Sequence, residues 1–73
     1  MNVSWHLHAP ARLTLELLDI RGRVVDTWLP MQSFGAGHHQ RSFMLGDLNS
    51  GTYFYRMTTE DGLVRSHTIQ VID

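Results

Sequence analysis

Apolar and polar residues alternate from the start of the chain. Val3, Trp5 and Leu7 alternate with Ser4, His6 and His8, and beyond Ala9-Pro10 the pattern resumes with Leu13, Leu15 and Leu17 against Arg12, Thr14 and Glu16. A period of two puts successive side chains on opposite faces of a strand, so this stretch predicts two half-buried strands. At Leu17-Leu18 the alternation slips by one position, directing Leu18 and Ile20 to the other face as a bulge or a sheet-switching strand would. Arg21-Gly22 reads as a tight turn in which the glycine supplies a positive φ and Asp19 accepts a backbone hydrogen bond. Arg23 to Leu29 is the third expected strand, ended by Pro30 because proline cannot donate to a ladder.

Ser33 to Gly37, Ser-Phe-Gly-Ala-Gly, is the most loop-like segment. Strand character resumes from His39 to Leu45 around Phe43, Gly46 to Gly51 turns a corner, and Thr52 to Thr59 is dense in aromatic residues. Glu60-Asp61-Gly62 predicts a hairpin into a last strand, Leu63 to Ile72, with His67, Ile69 and Val71 on one face and His67 partly buried. The fold class is therefore all-β: an antiparallel β-sandwich of about seven short strands. Leu13, Leu15, Leu17, Val25, Phe43, Leu48, Tyr53, Tyr55, Ile69 and Val71 form its expected core.

A chain of 73 residues has room for one domain, spanning 1–73. A domain of this size buries only about 60% of the surface its unfolded chain exposes, so the core must be small, and with no cysteine it has no disulfide to support it. The formal net charge is −1, and the six basic residues, all arginine, are scattered along the chain. Phosphate neutralisation needs clustered cations, so no nucleic-acid partner is expected. No apolar stretch approaches the about 20 residues of a membrane helix, so no span is expected. The first ten residues carry Trp5, His6 and His8 where a signal peptide needs a continuous apolar block, so no export address is expected there.

The most specific local pattern is Asn49-Ser50-Gly51-Thr52-Tyr53-Phe54-Tyr55. It has the shape of the immunoglobulin-type tyrosine corner, with Tyr53 returning its hydroxyl to upstream backbone and Tyr55 standing where the core cysteine would be. Two longer blocks flank Gly37-His38-His39: Leu15-Glu16-Leu17-Leu18-Asp19-Ile20-Arg21-Gly22-Arg23-Val24-Val25 before it, and Leu48-Asn49-Ser50-Gly51-Thr52-Tyr53-Phe54-Tyr55-Arg56-Met57 after it. In order and spacing, from about Val3 to Ile72, they resemble the C-terminal sorting domains (type A) of the bacterial type IX secretion system. The Ig-like domain of the flagellar hook-capping protein is similar in the same two blocks.

The resemblance implies an immunoglobulin-like sandwich at the C-terminus of a larger exported protein, brought through the periplasm to the cell surface or beyond. It implies as partners the secretion machinery and a sortase-like peptidase that removes the domain. It places the structural motif at Asp19, Gly22, Arg23, Gly37, Gly51, Tyr53 and Tyr55, and recognition at the last strand region, through Arg65 with Val64, Ile69 and Val71.

Catalytic chemistry finds no support in the residues. Ser33, Ser42, Ser50 and Ser66 offer hydroxyls without a Gly-x-Ser-x-Gly elbow, Glu60-Asp61 is a paired carboxylate only at a turn tip, and Gly35-Ala36-Gly37 lacks the Lys-Ser/Thr of a phosphate loop. No catalytic residue, metal or cofactor is expected. Histidine alone is in excess: His6 and His8 share a strand face and His38-His39 sit at a loop-strand junction, a spacing that suits bidentate zinc or copper but reads more simply as solvated. Three function classes remain: a secretion-sorting signal, a structural or self-assembling Ig-like module pairing through edges that carry no lysine, and a carbohydrate- or metal-binding accessory domain using Trp5 or Trp28. The first is the expectation.

Overall fold

A computed structural model describes residues 1–46 and 48–72; Asp47, within the expected corner Gly46 to Gly51, and Asp73 lie outside the described residues. Among the described residues six strands form: β1 (Asn2–Leu7), β2 (Ala11–Asp19), β3 (Val24–Phe34), β4 (Gly37–Ser42), β5 (Gly51–Thr59) and β6 (Val64–Val71). The expected β-sandwich is present, with six strands rather than seven. A four-stranded antiparallel sheet in the order β3-β2-β5-β6 is faced by a two-stranded sheet, β1-β4.

The core lies between the sheets. Leu13 and Leu15 on β2 are fully buried, and with Val3, Trp5 and Phe34 they form its centre, against which Leu7, Trp28, Leu29, Phe43, Tyr55 and Met57 pack. Burying a leucine of this kind contributes roughly 1.5–3 kcal/mol, so a few β2 side chains dominate the stability. Aromatic edges lock the layers together: Trp5 meets Phe34 edge-on at 5.4 Å, and Trp28 lies flat on Phe43 at 4.6 Å. The expected core leaves out Val3, Trp5 and Phe34, and includes Val25, which is 43% exposed.

Val25 is exposed because β3 is irregular. It pairs with β2 through register shifts at three places, between Leu13 and Leu15, Leu15 and Glu16, and Leu17 and Leu18. At each, β3 advances one residue more than β2, and Val25 is the extra residue opposite Leu17-Leu18. The slip at Leu17-Leu18 therefore belongs to β3. β2 itself runs in unbroken register with β5 from Leu13↔Thr59 to Asp19↔Tyr53, so Leu18, which is 5% exposed, reaches the outer face by ordinary alternation, while Ile20 sits in the turn at 71% exposure.

Pro30 does not end β3. Leu29 pairs with Leu15 and Gln32 with Leu13, so the proline falls inside a bulge on an edge strand, where a missing N–H breaks no ladder bond. The strand continues through Ser33 to the buried Phe34, leaving Gly35-Ala36 as the connection in place of the expected Ser33 to Gly37 loop. β4 begins two residues earlier than expected and stops at Ser42; Phe43 only extends the pairing, exchanging both backbone bonds with Met1 at 2.7 and 2.8 Å.

Candidate recognition face

Each turn and corner of the sequence motif has a local cause. The Asp19 carboxylate accepts the N–H groups of Arg21 and Arg23, both at 2.9 Å, and Gly22 adopts φ 83°. Those backbone bonds, first that from Arg23, hold the Asp19 carboxyl below its ordinary pKa. Arg23 lies 3.6 Å from Asp19 but is largely in solvent, where an ion pair adds little. Gly37 and Gly51 each open a strand with positive φ, 117° and 152°. The Tyr53 hydroxyl donates to the Asn49 carbonyl at 2.9 Å. Tyr55 packs against the core, where burial raises its phenol above the ordinary pKa.

The final hairpin decides which side chains meet. β5 and β6 pair in regular antiparallel register, Tyr53↔Ile69, Tyr55↔His67 and Met57↔Arg65, and opposed residues share a face. Since Tyr55 opposes Leu17 and Met57 opposes Leu15, this is the inner face, and it gathers Arg65, Ile69 and Val71 in a row. Val64 opposes Thr58 and lies on the outer face, so it does not join them. His67 shares the inner face but is exposed, stacked on the Tyr55 ring at 5.1 Å, and not partly buried. The reason is coverage: two strands cannot roof four.

Between the β1 edge and this uncovered hairpin lies a groove of about 320 Å³, floored by Tyr55, Met57, Arg65 and His67. The groove itself has no local signature in the sequence, although the alternation Tyr55, Met57, Thr59 opposite Leu63, Arg65, His67 carries its signal once the hairpin is known. On the outer face Arg56 and Glu16, cross-strand neighbours, form an ion pair at 2.9 Å.

The other candidate residues serve packing or solvent. Trp5 is 8% exposed and Trp28 is covered by Phe43, which removes both as open stacking platforms for a sugar. His6 and His8 are exposed with ring centroids 5.3 Å apart, and His6 opposes His38 across the small sheet. His39 turns inward against Trp5, and its Nε2 donates to the Gly35 carbonyl at 2.7 Å, since a carbonyl can only accept. Among the described residues no group of three or more His, Asp or Glu is placed to hold a metal ion, and no helix is long and apolar enough to cross a membrane.

Among the described residues this small sandwich presents an open sheet face beside a free strand edge. Over residues 1–72 the sequence matches the family described as Secretion system C-terminal sorting domain, and the chain belongs to that family. No curated protein and no solved structure is significantly similar to it. Membership makes the chain a C-terminal sorting signal for type IX secretion of a larger protein, which interacts with the type IX machinery and is destined for the cell surface or the exterior. The family is non-catalytic.

Proposed function

We infer that this chain is a single folded, non-catalytic immunoglobulin-like address, read through the inner face of its final hairpin. The observation that carries this reading is the row of Arg65, Ile69 and Val71 on a face that the small sheet leaves open. Arg65 supplies the charged contact and Ile69 and Val71 the apolar ones; Val64, on the opposite face, contributes to strand pairing. After transit through the periplasm a sortase-like peptidase separates the domain from its passenger.

The test is a reporter with its own periplasmic export signal, expressed in a type IX-competent cell with and without this chain at its C-terminus. Release of the reporter to the cell surface or medium only when the chain is attached is the expected result; equal release without it overturns the reading. Self-association is the second reading, favoured by the free edges of β3, β4 and β6. It requires a concentration-dependent mass in light scattering of the isolated chain.

A further inference from the structure

The groove beside β1 has one wall made of a strand edge. Every residue from Val3 to His8 lines it, inward- and outward-facing alike, and no β4 residue does, so it runs along the edge of β1 that β4 does not occupy. The parity of the ladder shows which backbone groups are free there. Met1 and Phe43 exchange both backbone bonds, so in the antiparallel register Val3, Trp5 and Leu7 also bond to β4. The N–H and C=O groups of Ser4 and His6 then point the other way, along the groove, with no backbone partner among the described residues. That is the hydrogen-bond pattern an additional strand takes up.

The lining also states what that strand should carry. It holds Arg65 and the histidines His6, His8 and His67, and among the described residues it includes no aspartate or glutamate. Its floor is apolar at Tyr55 and Met57, with Leu63 46% exposed at one end. A strand added to β1 would cover these apolar groups with one set of alternate side chains. Its carboxylates would meet Arg65 on the inner face and His6 and His8 on the outer.

We propose that the free edge of β1 and the open face of the β5–β6 hairpin together form a docking site for an extended, carboxylate-bearing peptide segment of another protein, which adds as the third strand of the small sheet. A second copy of this chain is a poor occupant. Its own edge strands, β1, β3, β4 and β6, contain a single carboxylate, Asp26, and so cannot supply the complementary charge. The site deepens the address reading, because Arg65 belongs to both, but its binding chemistry is measured without cells and fails separately.

The experiment is an NMR titration of the isotopically labelled 73-residue chain with the blocked peptide Val-Glu-Val-Glu-Glu-Glu-Val, whose valine-bearing face also carries one carboxylate to meet Arg65 while the other face is all carboxylate. Saturable amide shifts are expected at Ser4 and His6 and at Arg65 and His67, with none from the lysine counterpart and none from an acidic peptide N-methylated at alternate residues. Arg65→Glu should weaken binding by about fivefold or more. Ser4→Pro should abolish it while leaving the β1–β4 ladder intact, since the lost N–H faces the groove. If Ser4→Pro does not fold, the N-methylated peptide carries the same test on the intact chain. The proposal is overturned by the absence of saturable shifts, by equal binding of the lysine peptide, or by shifts confined to β3 or β4. It is equally overturned if the chain alone dimerises through β1, which would make a second copy the occupant.

Discussion

The two hairpins of the four-stranded sheet close through the same turn and lead to different environments. In the first, the Gly22 N–H donates to the Asp19 carbonyl at 2.9 Å and Asp19 N–H to the Arg23 carbonyl at 2.9 Å; in the second, Gly62 donates to Thr59 at 3.0 Å and Thr59 to Leu63 at 2.8 Å. Both glycines take positive φ, 83° and 95°, and in both the first residue's side chain accepts the N–H four positions on, Asp19 from Arg23 and Thr59 from Leu63. Beyond the turns the likeness ends. On β2 Leu13, Leu15 and Leu17 are at most 1% exposed, whereas Leu63, just before β6, is 46% exposed and Arg65 and His67 on β6 stand in solvent. Turn chemistry within five residues sets the pairing of each hairpin; the number of strands in the opposite sheet sets what each hairpin buries. The half left open is the half available to a partner.

The two halves should differ most when core side chains are truncated. Leu15→Ala should cost about 2–5 kcal/mol, a large part of the roughly 4–11 kcal/mol expected for a chain this long, while Val71→Ala on the open half should cost about 1 kcal/mol. Urea unfolding curves of the two variants check this, and similar midpoints would contradict the division into covered and open halves. Next come the turns. Gly22→Val and Gly62→Val should each cost about 1–2 kcal/mol, because a β-branched residue is strained at positive φ, and the two losses should match if the turns are equivalent. An unchanged melting curve for either would show that its turn is misread.

Acid acts on both turns through their aspartates. The backbone N–H of Arg23 first, and that of Arg21, hold Asp19 below its ordinary pKa; in the other turn the Thr59 hydroxyl first, then the Leu63 N–H, do the same for Asp61. A carboxyl whose folded pKa is depressed contributes stability above its unfolded pKa of about 3.9 and loses it as pH falls through the folded value. The melting temperature should therefore drop as pH falls below about 4, and Asp19→Asn, which does not titrate, should flatten that dependence. Identical pH profiles for the variant and the parent would remove Asp19 from the acid response.

Where physics is local, the fold was legible in the sequence. The alternation of β1 and β2, the Asp19 to Gly22 turn, the Glu60-Asp61-Gly62 hairpin and the pattern around Tyr53 all involve neighbours within a few residues. β3 was not legible, because an edge strand tolerates Pro30 and absorbs extra residues as bulges, and no local pattern announces that a strand will lie at an edge. β4 was misplaced because Gly-His-His-Gln-Arg-Ser has no apolar alternation; it is a strand only because β1 offers it a ladder. Arg65 could be picked out from the order of the motifs. The groove could not, since it depends on how far a two-stranded sheet extends over a four-stranded one.

Recognition by the open half is separated from folding where substitutions change stability least. Arg65→Glu, on the open face, and Gln40→Glu, on the exposed side of β4, each add a carboxylate to the surface and should each shift stability by less than about 0.5 kcal/mol. With either variant fused behind an exported reporter in a type IX-competent cell, the measurement is the amount of reporter reaching the cell surface or medium. Arg65→Glu should lower export while Gln40→Glu leaves it at the parent level, both domains melting as the parent does. Full export by a folded Arg65→Glu chain, or an equal loss from both, would contradict recognition through the open half.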